Sequence, residues 1–321
     1  MTKNRMVDQR KVGIDHENRE WRAALAGVVA ALGVGGLAVP QAQALQVCDA
    51  TSRIISACCK ITSSGVYQLM GNVKVNISSG DCISVEATQV ALIANDHNLA
   101  NISSKGVGIH VHSGASRFSM HAGSTFSGTD GQVTGFLIGI QNDASNVLIT
   151  DVDCESNGTG IVNNGARASY SFLNASSNFS RGFVNNGAAG LKISAFNTDN
   201  NKLDGLVLVN TSGALLGDFS EADGNGASGI KVSGGGGNTM VVIDASGNGA
   251  DGIWFKHSVA NTVIDFTANG NSGTGIYIDA LLGEIRTAAV AAYPPAAATA
   301  YRREKDQRRR AVTESRASAS M

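Results

Sequence analysis

The sequence predicts an all-β solenoid, a single-stranded right-handed parallel β-helix of about ten coils of roughly 23 residues over 45–283. Three observations predict it. A Gly followed by a large apolar residue recurs once per coil, an Asn column runs in step with it, and no proline stands between Pro40 and Pro294. Proline removes a backbone donor, so a long proline-free span rich in Gly, Asn, Ser, Val and Ile suits an uninterrupted stack of hydrogen-bonded strands.

The Gly pairs are Gly139-Ile140, Gly160-Ile161, Gly182-Phe183, Gly205-Leu206, Gly229-Ile230, Gly252-Ile253 and Gly275-Ile276, at spacings of 21, 22, 23, 24, 23 and 23. Gly108-Ile109 is an earlier member, and its longer coil of 31 is expected to carry an insertion around Gly123 to Gln132. Three or four residues before each Gly stands Asn157, Asn178, Asn201, Asn225, Asn248 or Asn271. Such a column can stack its amides in a turn, each donating to the next. Three residues earlier comes a small inward row of Cys154, Ala175, Thr198, Ala222, Ala245 and Ala268. It alternates with Val152, Leu173, Phe196, Ile243 and Phe266, with Phe219 displaced by one, as a strand buried on one face requires. Each coil thus reads as strand, Asn turn, a Gly intolerant of Cβ, a second strand, and a third short element such as Leu191 to Ile193. The Leu-x-x-Leu-x-Leu pattern of leucine-rich repeats is missing. Gly247-Asn248-Gly249-Ala250-Asp251-Gly252-Ile253 echoes a calcium-binding nonapeptide, but it recurs only once per coil and builds no calcium ladder.

The 321 residues are 43% hydrophobic, enough for a substantial core. The first 44 residues read as a signal peptide: Arg22 precedes an apolar run from Ala23 to Val39, and Ala42-Gln43-Ala44 predicts cleavage after Ala44. Met6 is an alternative start, and an uncleaved anchor is the alternative fate of the apolar run. Residues 284–321 form an Ala-rich and basic tail with Pro294-Pro295 and Arg308-Arg309-Arg310, expected to be disordered. Of 25 basic and 26 acidic residues, the two flanks hold 14 and 8, which leaves 11 and 18 in residues 45–283. A folded part near −7 disfavours nucleic acid as a partner. Cys48, Cys58, Cys59 and Cys82 are disulfide candidates in an oxidising compartment, with Cys82 pairing back to Cys58 or Cys59, whereas Cys154 in the small row reads as buried packing.

Residues 58–145 resemble the opening of secreted right-handed β-helix repeat proteins, the pectate-lyase-like superfamily that includes mannuronan epimerases and a periplasmic nitrous-oxide reductase maturation protein. The stretches that carry the resemblance are Gly65-Val66-Tyr67-Gln68-Leu69, Gly80-Asp81-Cys82-Ile83-Ser84-Val85, Val90 to Leu99, and Gly106-Val107-Gly108-Ile109. With the later coils it covers nearly all of residues 58–283. The resemblance implies the fold and a secreted or periplasmic location. It leaves activity open, because the superfamily mixes lyases, hydrolases, epimerases and adhesins.

If the residue after each Gly points inward, the next points out, giving a row of His110, Gln141, Val162, Val184, Val207, Lys231, Trp254 and Tyr277. Two residues on, the same face shows His112, Asp143, Asn164, Asn186, Val209, Ser233, Lys256 and Asp279. Lys231, Trp254, Lys256, Tyr277 and Asp279 therefore gather on one surface. Aromatic faces stack on sugar rings and lysines pair with uronate carboxylates, so this is the expected polysaccharide-binding site. His110-x-His112 puts two imidazoles about 7 Å apart on one strand, where His121 or Asp143 could complete a metal site. Solvated histidines are the simpler expectation, and neither a metal nor a cofactor is expected.

Of the polygalacturonase-like motifs only Asn197-Thr198-Asp199 appears, with Thr198 facing inward, and the Asp-Pro-His-Asp of mannuronan epimerases is missing. Arg167, Arg181 and Lys192 could neutralise a uronate, but no base is tied to them. Asp153, Glu221 and Asp244 share an outward row with Asn174 and Asn197, read as solubilising. The expected function is non-catalytic polysaccharide binding, with a polysaccharide lyase or uronan epimerase on the C-terminal coils as the alternative.

Overall fold

In the computed structural model, residues 45–122 and 131–279 are described. The expected signal peptide, most of the expected insertion (123–130) and the basic tail lie outside them. Among the described residues there are 24 strands and no helix, hence none long and apolar enough to cross a membrane. The strands pair in parallel into sheets of ten, eleven and three.

The ten-stranded sheet takes one strand from each successive rung, from Cys59–Ile61 to Ile276–Asp279, in unbroken chain order. This is a right-handed parallel β-helix of about nine turns with a spacing near 23 residues, close to the ten coils expected. Adding one strand per turn aligns residues one period apart, as in Ile140↔Ile161, Ile161↔Phe183 and Leu206↔Ile230. The residue after each Gly thus points inward: Ile140, Ile161, Phe183, Leu206, Ile230 and Ile253 are all 0% exposed. Their stacked side chains form a continuous apolar column through the interior.

The Asn turn forms as expected. The Asn178 backbone N–H and Nδ2 donate to Asn201 Oδ1 at 2.9 and 3.0 Å, and Asn201 donates in the same way to Asn225. Buried amides that bond their counterparts in the next rung fix the register, because a slip would strand them in the core. The Gly beside this ladder has no room for a side chain: a Cβ on Gly205 would lie 2.7 Å from Asn225 Nδ2, Gly229 O and Thr198 O. A second buried ladder runs through Asn142, Asn163 and Asn185 to Thr211 at the far end of the same strands.

Two positions depart from the expected columns. Ser220, not Phe219, pairs with Ile243 and faces the core, while Phe219 is 49% exposed. Asp218 and Phe219 adopt φ of 63° and 60°, and this left-handed kink turns the ring outward. Val207 points outward but is buried, being flanked in register by Val184 and Lys231. The small row is buried from Cys154 to Ala245, and Ala268 in the last rung is half-buried. Two disulfides tie the first rungs, Cys58 to Cys82 and Cys48 to Cys59. Cys154 is a free buried thiol whose pKa burial pushes well up.

Candidate functional site

The five residues expected to gather do so on the outer face of the ten-stranded sheet. Lys231 pairs in register with Trp254 and Trp254 with Tyr277, while Lys256 pairs with Asp279 in the neighbouring row. Their positions follow from strand alternation: Ile230, Val232, Ile253 and Phe255 fill the core, so the residues between them emerge. Lys231 Nζ lies 4.4 Å from the Trp254 ring centroid and Lys256 Nζ lies 5.7 Å from it. The indole is thus capped by two ammonium groups, each cation–π contact contributing about 0.5–1 kcal/mol at an exposed site. Tyr277 lies 6.4 Å from Trp254, is inclined at 49°, and is 45% exposed. Tyr277 is therefore the more open of the two rings. The Trp254 indole N–H is buried and has no acceptor among the described residues.

At the other end of the same face stands a second group. His110 Nδ1 lies 2.9 Å from Asp81 Oδ2 and its Nε2 lies 2.8 Å from Asp143 Oδ2. His112 Nε2 lies 3.3 Å from the same Asp81 oxygen and 2.9 Å from Ser84 Oγ. The two imidazoles stack with centroids 3.8 Å apart, nearer than the backbone spacing suggests. Asp143 accepts from Gln141 and Asn164 as well. Burial opposes charge on His110, yet the hydrogen bonds of Asp81 and Asp143 hold its pKa above the ordinary histidine value. Burial likewise opposes charge on Asp143, and the Asn164, His110 and Gln141 donors outweigh it and lower its pKa. Of the two residues expected near the histidine pair, Asp143 is there and His121 is not. His121 sits on the eleven-stranded sheet against Thr150 and Asp151. Asp81 and Ser84 belong to the group without any motif in the sequence to mark them.

No protein-family model matches the chain, and no curated protein matches it. Among solved structures the chain is similar to the Dettilon tailspike protein, with a TM-score of 0.56 and 12% identity over 70% of this chain and 53% of that one. It therefore spans about half the tailspike's length. The chain is a parallel β-helix repeat protein. Two others matched are the periplasmic alginate epimerase AlgG (TM-score 0.44, 12% identity, 68% and 70% of the two chains) and the Azotobacter vinelandii mannuronan C-5 epimerase AlgE6 A-module (0.41, 12%, 74% and 88%).

Elsewhere on this β-helix the remaining motif residues are engaged locally. Thr198 of Asn197-Thr198-Asp199 is fully buried, so the three residues do not share one accessible face. Arg181 pairs with Asp204 at 3.4 Å, and Arg167 donates to Asn146. Asp153, Asn174, Asn197, Glu221 and Asp244 do form one row in register, as expected. Beside it Asp199 Oδ1 accepts the Asp223 N–H, and Asp223 Oδ1 accepts the Ser246 N–H.

Proposed function

We propose that this β-helix is a binder of anionic extracellular or cell-wall polysaccharide, and that the outer face of its C-terminal rungs is the contact surface. The carrying observation is the register Lys231↔Trp254↔Tyr277, which puts two lysines over one aromatic ring and leaves the next ring open. A uronan presents what this surface matches: sugar rings to stack on Tyr277 and carboxylates to draw Lys231 and Lys256 off the indole. Parallel rungs lie about 4.8 Å apart, so successive side chains can follow one extended chain along the helix axis. Two disulfides suit an oxidising compartment, and we infer a secreted or periplasmic location.

Affinity electrophoresis against alginate, pectin and neutral glucans tests this reading. Anionic gels are expected to retard the protein, the effect fading with salt as screening grows. Tyr277→Ala and a Lys231→Gln/Lys256→Gln double variant are expected to abolish most of the retardation. Equal retardation of the variants and the parent would remove this surface as the contact. Uronan breakdown seen as absorbance of unsaturated products would instead favour the lyase alternative.

A further inference from the structure

We propose that Asp81, His110 and His112 form a binding site for a divalent first-row metal ion, with zinc as its best match. One ligand atom from each of Asp81, His110 and His112 lies within 4.8 Å of the other two. The Asp81 oxygen is 2.9 Å from one imidazole nitrogen and 3.3 Å from the other. Tetrahedral ligands at zinc bond lengths of about 2.0–2.1 Å stand roughly 3.3 Å apart, close to both distances from the Asp81 oxygen. Two imidazoles and one carboxylate are the donor set of a borderline-soft ion. Calcium, which needs six or more oxygens, is a poor match.

His112 Nε2 stands between Ser84 Oγ at 2.9 Å and the same oxygen of Asp81 at 3.3 Å, so both imidazoles present a nitrogen to one carboxylate oxygen that a shared cation would join. The fourth residue completes the arrangement: Asp143 holds His110 Nε2 at 2.8 Å and is itself held by Gln141 and Asn164. With a metal on Nδ1, Asp143 would accept the Nε2 proton, the carboxylate–histidine–metal relation of metal sites generally. The side chains of His110, Asp81 and His112 are 14%, 19% and 36% exposed, which leaves a fourth coordination position open to solvent. The site does not rest on the polysaccharide reading. It lies five rungs, about 24 Å, from Lys231 along the same face.

The test is zinc titration of chelator-treated protein by calorimetry, with metal content measured after desalting and melting followed with and without zinc. The expected result is one zinc per chain at micromolar or tighter affinity, a melting temperature raised by a few degrees, and no response to calcium. Asp81→Asn and His112→Gln are expected to weaken binding at least 100-fold. Asp143→Asn, which keeps all three ligands, weakens it about 10- to 100-fold, and His257→Gln, at a residue that follows the strand Ile253–Lys256 on the C-terminal rungs, leaves it unchanged. Parent protein that takes up no stoichiometric zinc overturns the proposal whatever the variants do. Zinc uptake that survives both Asp81→Asn and His112→Gln overturns it as well, by placing the ion elsewhere.

Discussion

Gly205 occupies a space bounded by three polar atoms, each 2.7 Å from where its Cβ would stand. Two are backbone carbonyls and the third is a rung of the Asn ladder, so none can yield without breaking a buried hydrogen bond. Gly205→Ala is therefore expected to cost about 2–3 kcal/mol in urea denaturation. Gly71→Ala, with nothing within 4 Å of its Cβ, serves as the neutral control. Equal midpoints for the two variants would contradict the tight-approach account. Gly205 and Asn201 were legible because every coil needs the same atom in the same place, and the sequence repeats accordingly. The Asn142–Asn163–Asn185 ladder was not, since it lasts three rungs before Leu208 takes the register position. Nor was Phe219: a left-handed kink of two residues leaves no mark in a pattern of apolar and polar residues.

Among the turns and strands, the stacked acidic groups make the clearest electrostatic prediction. Burial raises the Asp223 pKa to about 7, aided by the like charges of Asp244, Asp199 and Glu221 and opposed by the Ser246 N–H. Below about pH 3 this carboxyl is protonated in both folded and unfolded chains and contributes nothing. As pH rises toward 7 the unfolded chain releases the proton while the folded one keeps it, so stability falls across that window and levels off above it. Asp223→Asn keeps an acceptor for the Ser246 N–H. Its stabilisation is expected to grow from near zero at about pH 3 to the order of 1–2 kcal/mol at about pH 8, after allowance for solvent screening. Denaturation midpoints across that range decide it, and a pH-independent difference would show that packing, not ionisation, is at stake. Register also governs how much of the candidate sites was legible. Lys231, Trp254 and Tyr277 stand one regular period apart and align by counting. Asp143 falls beside His110 by the same counting, whereas Asp81 stands 29 residues before His110, and a coil of irregular length hid the alignment that hydrogen bonding reveals.

A solenoid has few contacts between distant parts of its sequence, and its stability is close to a sum of rungs and the interfaces between them. The ends are then the weak points, and the two ends of this chain differ. In the last described rung Ile278 is 45% exposed although its partner Phe255 is buried, because no described strand packs over it. At the first rungs Cys58–Cys82 and Cys48–Cys59 close loops of 24 and 11 residues, each restricting the unfolded chain by about 3 kcal/mol in the loop-entropy account. Because both bridges lie in the first two rungs, reduction is expected to act locally. Hydrogen exchange of the reduced protein should lose protection first in Cys59–Ile61 and Asp81–Val85, while Leu206–Val209 and Ile230–Ser233 keep theirs. A Cys58→Ser/Cys82→Ser variant should show the same gradient without reductant. Protection lost together along the whole axis would instead mean that the ladders couple all rungs into one cooperative unit, so that the bridges stabilise the entire helix from one end.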